Sequence, residues 1–174
     1  MRDLTTGKTI KKFMVALGRL ASAPARVYFT GGATAVLMGW RESTIDIDLR
    51  FDPDRDELYR ALPALKEELK INIELASPSD FIPPLPGWEE RSAHIGREGK
   101  IDFYHYDPYS QALSKIERGH TQDVTDVESM LGADLLDRQK LFSFFQAIEP
   151  QLYRYPAVDP DSFSKAVLRI CKQQ

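Results

Sequence analysis

The chain has 174 residues, 43% of them hydrophobic and 28% charged, with a formal net charge of −3. That length predicts one domain spanning 1–174, and that composition excludes collagenous, disordered and membrane-spanning classes. The slightly acidic balance argues against wholesale wrapping of nucleic acid, which clustered Lys and Arg would drive.

The lone Cys171 excludes an internal disulfide or a cysteine metal site. No apolar run nears the ~20 residues of a membrane span, and Met1 to Lys12 has no long apolar stretch, so the expected location is the cytoplasm. Charge is unevenly spread. Between Met1 and Arg26 stand Arg2, Lys8, Lys11, Lys12, Arg19 and Arg26 against Asp3 alone. This reads first as a solvated helix face and second as an end that attracts a polyanion.

Ile10, Phe13, Met14, Leu17 and Leu20 recur at three- and four-residue steps and predict a helix that stops before Pro24. Val27-Tyr28-Phe29 predicts a strand ending at Thr30-Gly31-Gly32, and Ala33 to Trp40 a short helix after that glycine turn. Ile45-Asp46-Ile47-Asp48-Leu49 alternates with period two, so both carboxylates share one face of a strand and the three apolar residues share the other. Leu58, Leu62, Leu65 and Leu69 predict a helix opened by Pro53-Asp54. A third strand is expected at 71–75, with Glu74 on the side of the Asp pair. The proline-rich stretch 77–88 predicts a loop pinned by Phe81 and Ile82. Arg91 to Ile95 and Lys100 to Tyr106, flanking Gly96 and Gly99, predict a hairpin. From Tyr109 on the pattern is helical, with breaks near 119–122 and 150–160.

Transfer of a nucleotidyl group requires neutralised charge and in-line placement of the attacking oxygen. Carboxylates one residue apart on a strand suit Mg²⁺, a hard cation that takes few protein oxygens beside phosphates and water. A Gly-Gly turn before a helix offers backbone N–H groups to phosphate. Alone, the acid-x-acid triplet is commonly a wet strand face. Joined to the glycine turn it is more specific, and the face bearing Asp46, Asp48 and Glu74 is expected to line the deepest polar pocket, with Gly31 and Gly32 at its rim. His94, His105 and His120 lack metal-ligand spacing, and no Ser or Cys occupies a nucleophile elbow.

Phe29-Thr30-Gly31-Gly32 followed by Ser43-Thr44-Ile45-Asp46-Ile47-Asp48-Leu49 resembles the signature of the nucleotidyltransferase superfamily. The resemblance implies an α+β fold of the polymerase-β type: a small mixed sheet flanked by helices, with its core about residues 27–131 and a helical extension over 132–174. It implies Asp46 and Asp48 as ligands of Mg²⁺, two ions in all, and a nucleoside triphosphate bound by Gly31, Gly32 and Thr44. The third acid would be Glu74, with Asp102 the competing candidate. Lys115 to Arg118 and Gln122 to Val127 resemble a second block of the AbiEii-like, MenT-like toxin branch, although Gln122 stands where that branch often has a basic residue. By that likeness Lys115 and Arg118 would contact the triphosphate and Asp126 would orient it. Acceptors would be an RNA end such as that of tRNA, or a protein side chain, with a cognate antitoxin as a further partner. A catalytically silent binding module on the same fold is the alternative. Without the resemblance, Lys115 and Arg118 read as a solvated helix face and Asp123 as a helix cap.

Overall fold

The computed structural model describes residues 3–172, so Arg2 of the basic N-terminal run lies outside the described residues. The chain divides into two compact units, Met1–Ser77 with Ser92–Tyr106, and Pro78–Arg91 with Asp107–Gln174.

The first unit opens with β1 (Thr5–Thr6) and α1 (Gly7–Leu20), followed by β2 (Ala25–Thr30), α2 (Gly31–Met38), β3 (Ser43–Thr44), β4 (Asp46–Asp52), α3 (Asp56–Leu69) and β5 (Asn72–Glu74). It closes with β6 (Ala93–Glu98) and β7 (Ile101–His105). Five strands form one sheet in the order β5-β4-β2-β7-β6, and β1 pairs with β3 in a separate ribbon. The sheet is mixed: β2 runs antiparallel to β4 and parallel to β7, β4 is parallel to β5, and β6 is antiparallel to β7. This is the α+β class expected.

Period-two alternation sorts the sheet's side chains. Val27, Phe29, Ile47, Leu49, Phe51, Ile73, Ile101 and Phe103 join Ile10, Phe13 and Leu17 of α1 and Leu58, Leu62 and Leu65 of α3 in a single core. Fully burying each such side chain contributes about 1.5–3 kcal/mol. Two glycines set how closely α1 meets the hairpin. A Cβ on Gly18 would strike the Glu98 carbonyl, and one on Gly99, at φ +58°, would strike the Gly18 carbonyl.

Several boundaries differ from the pattern-based expectation. Ile45 is 69% exposed, because β4 starts at Asp46 and leaves Ile45 outside the strand. Leu20 and Leu75 are exposed at the ends of their elements. The glycine turn is compressed into the helix start: α2 is assigned from Gly31, whose φ of +59° is left-handed rather than helical. In the hairpin, Gly96 sits at a bulge within β6, and the turn lies at Gly99. Arg91 belongs to a helix rather than a strand.

The second unit contains α4 (Trp88–Arg91), α5 (Pro108–Arg118), α6 (Thr121–Gly132), α7 (Arg138–Ile148) and α8 (Pro160–Cys171), with 3₁₀ turns at Pro78–Asp80 and Glu149–Arg154. The proline-rich loop is pinned by Ile82 and Leu85, each 1% exposed, whereas Phe81 is 44% exposed. Asp107 organises this unit. Its buried carboxylate caps α5 by accepting from the Tyr109 and Ser110 amides and receives both Nε and Nη2 of Arg91, at 3.0 and 2.9 Å. The Arg91 guanidinium also lies 4.1 Å over the Phe144 ring. No helix among the described residues is long and apolar enough to cross a membrane.

Candidate functional site

The outward face of β4 carries Asp46, Asp48, Arg50 and Asp52, all half-buried, while Ile47, Leu49 and Phe51 point into the core. Residues opposite one another in a ladder share a face. Asp48 stands opposite Thr30 on β2 and Glu74 on β5, and Asp46 stands opposite Asn72. The Asn72 amide donates to Asp46 Oδ1 at 2.5 Å and so fixes that carboxylate toward the β5 side.

The start of α2 meets the same carboxylates. Gly31 has φ +59°, a left-handed conformation, and an added Cβ there would lie 2.7 Å from Asp48 Oδ2. The missing side chain is therefore what lets the Asp48 carboxylate rest against the helix start. Gly32 has a second neighbour of this kind, because a Cβ there would collide with Thr44 Oγ1 and come within 3.3 Å of Arg41 Nη1. Thr44 Oγ1 donates to the Asp46 carbonyl at 3.1 Å, which ties the segment ahead of β4 to the strand. Gly31, Gly32, Thr44, Asp46 and Asp48 thus occupy one corner of the first unit. Arg41 belongs to that corner too. Sequence reasoning missed it because it lies in an aperiodic stretch between α2 and β3, and only its short separation from the Asp pair hinted at it.

A buried polar chain supports α2 from behind. Thr34 Oγ1 donates to the Phe29 carbonyl at 3.2 Å and, with its proton so used, accepts from His105 Nδ1 at 3.1 Å. Burial holds the His105 imidazole neutral and pushes its pKa down to about 4.

The two candidates for a third acid lie apart. Glu74 is exposed and is the direct ladder partner of Asp48. Asp102 stands in the row of Arg26 and Asp52, two strands from β4, roughly 16 Å from Asp48 by sheet geometry. It pairs instead with His94 Nε2 at 3.0 Å. Among the described residues, no group of three or more His, Cys, Asp or Glu side chains is gathered so as to hold a metal ion. The donors present are hard carboxylate oxygens on one strand face, and they fit Mg²⁺, an ion that keeps waters and takes substrate phosphates for its remaining positions. Two cavities lie elsewhere in the molecule. Neither the one of about 810 Å³ nor the one of about 730 Å³ is lined by Asp46, Asp48 or Glu74.

In the second unit, Lys115, Arg118, Gln122, Asp123 and Asp126 form one cluster across α5 and α6. Lys115 is 6% exposed; its Nζ lies 2.7 Å from Asp126 Oδ2 and 3.8 Å from Asp123 Oδ1. Arg118 holds Asp123 through Nε at 2.8 Å and Nη2 at 2.5 Å, and Gln122 donates to Asp126 Oδ1 at 3.2 Å. Burial raises the Asp123 carboxyl, but the Arg118 hydrogen bond and charge, with the charge of Lys115, outweigh it and hold the group below its usual value. The solvated-face reading of Lys115 is therefore overturned by its burial. His120, not Asp123, is the N-cap residue of α6, but the Asp123 carboxylate accepts from the His120 backbone N–H in the first turn while it also holds Arg118 of α5.

Over residues 8–158 the chain matches a protein family described as a nucleotidyltransferase of unknown function, DUF6036. No curated protein and no solved structure matches it.

Proposed function

We propose that this chain, which belongs to that nucleotidyltransferase family, transfers a nucleoside monophosphate from a nucleoside triphosphate to a hydroxyl on RNA or protein. The observation that carries this reading is the seat of the Asp48 carboxylate against Gly31, on the strand face it shares with Asp46. A helix start that directs N–H groups outward binds phosphate, and paired carboxylates beside it bind the cation that travels with phosphate.

Asp46 and Asp48 would hold Mg²⁺, with Glu74, the ladder partner of Asp48, as a further acid. When bound, the cation offsets charge on the transferring phosphoryl group and lowers the pKa of an oxygen attached to it. The chain's own groups supply the remainder. The acceptor oxygen attacks the α-phosphorus, one P–O bond forms, the bond to the β-phosphate oxygen breaks, and pyrophosphate leaves with the bonding electron pair. Glu74, exposed and opposite Asp48 in the ladder, would take the acceptor's proton. The backbone of Gly31 and Gly32 and the Arg41 guanidinium meet the triphosphate, and Asn72 keeps Asp46 oriented.

Purified protein incubated with Mg²⁺, each labelled triphosphate and total tRNA should pass label to RNA or to itself. Asp48→Asn should lower the rate on the order of a thousand-fold, since loss of one carboxylate removes both charge and alignment. Absence of label above the Asp48→Asn control with every triphosphate would overturn the enzymatic reading. It would favour a silent binding module, a reading supported by the lack of a preassembled three-acid cluster among the described residues. Binding within a toxin–antitoxin pair is the form of that module suggested by the second block of resemblance.

A further inference from the structure

The basic run of the N-terminal segment has a definite place in the fold. Lys8, Lys11, Lys12 and Arg19 line a groove of about 730 Å³ between α1 and α3, with Glu68 the single acid on its wall. All four cations are exposed, and among the described residues none of their side chains makes a hydrogen bond or ion pair. Helix physics opposes this arrangement. Lysines in the first turns meet the positive end of the helix dipole, and like charges at three- and four-residue spacing repel. The helix has no acid to relieve them and no capping side chain at Thr6. The groove floor is apolar, formed by half-buried Val15, Ala16 and Leu69.

We propose that this groove is a track for a single strand of RNA. Lys8 to Arg19 spans roughly 16 Å of helix, the length of about five stacked nucleotides at 3.4 Å each. The cations would meet phosphates while riboses and base edges lie on the apolar floor. An acidic peptide would also suit the charge, but continuity with the carboxylate corner favours RNA. Gly7, at the groove's end, follows Thr5 and Thr6, which pair with Thr44 and Ser43 immediately ahead of Asp46. A strand lying in the groove thus runs toward the place where a transfer acceptor must present its hydroxyl. This last step rests on the function proposed above.

The test is fluorescence anisotropy of a labelled mixed-sequence RNA 12-mer with the full chain, without Mg²⁺ or triphosphate, from 50 to 200 mM NaCl. Four phosphate contacts predict a slope of log K against log[salt] of about −3. The Lys8→Gln, Lys11→Gln, Lys12→Gln triple variant should lose about 2 from that slope and bind about a hundredfold more weakly at 0.1 M salt. Gln and Lys have similar helix propensity, so circular dichroism should be unchanged, and the triple Lys→Arg variant should bind as the parent does. Equal RNA affinity in parent and Gln variant would overturn the proposal. Binding of a labelled polyglutamate 12-mer in place of RNA would overturn it in favour of an acidic peptide partner. The two readings separate cleanly. Asp48-dependent transfer with RNA affinity indifferent to the Gln changes removes the groove alone, and groove-dependent RNA affinity without transfer in any condition removes the enzyme alone.

Discussion

Two side chains, or their absence, control the candidate corner most directly. Gly31 is left-handed and in contact with Asp48, so Gly31→Ala meets two obstacles: an unfavourable φ and a Cβ overlapping the carboxylate. We expect a stability loss of about 1–2 kcal/mol from the backbone conformation and, under the function proposed above, a far larger fractional loss of nucleotidyl transfer. Denaturant titration beside the labelled-triphosphate assay would check both. His105 predicts a pH dependence. Its folded-state pKa, about 4, lies below the ordinary 6.5, so the unfolded chain binds the extra proton first as pH falls. Stability from this group is complete above about pH 6.5 and drains away toward pH 4, by about 2 kcal/mol at pH 5. Urea denaturation at pH 7.5 and pH 5 should show this loss, and His105→Gln should remove most of the difference. The shared face of Asp46 and Asp48 was legible in the sequence, since strand alternation alone dictates it. The packing of Gly31 on Asp48 was not, because it depends on how β2 and β4 register.

At the scale of elements, α5 and α6 are joined by a buried charge cluster, and we expect it to be structural in the first instance. Lys115→Ala would take the ammonium away from the Asp126 carboxylate, which is 1% exposed and also accepts from the Gln122 amide. Removing one member of such a buried pair costs about 3–5 kcal/mol. Thermal or urea unfolding should report that loss, and unchanged stability would show that Arg118 and Gln122 suffice. The pattern that hid this cluster is instructive. Charges at helical spacing look identical whether they face water or a second helix, so Lys115, Arg118 and Asp123 carried no sign of burial. Hydrophobic stripes were more informative: Ile10, Phe13, Met14 and Leu17 on α1 and Leu58, Leu62 and Leu65 on α3 all entered the core. Terminal members such as Leu20 did not, because periodicity cannot tell where an element leaves the sheet it covers.

For the whole molecule, the chief feature is that each compact unit is built from two stretches of chain. The first unit's central strand, β2, takes one neighbour, β4, from its own stretch of chain and the other, β7, from after the 78–91 excursion. A fragment of residues 1–77 therefore lacks β6 and β7 and leaves the apolar Val27-Tyr28-Phe29 ladder open along one side. Such an edge invites association. We expect the 1–77 fragment to aggregate or remain unfolded and the 1–106 fragment to show strand signal by circular dichroism, with size-exclusion chromatography as the second measure.

The late arrival of β7 also bears on synthesis. At the usual 5–20 residues per second, on the order of 4–15 s pass between translation of β2 and of its parallel partner. During that interval the nascent chain carries a half-paired hydrophobic strand, open to pairing with another such strand until β7 closes its free side.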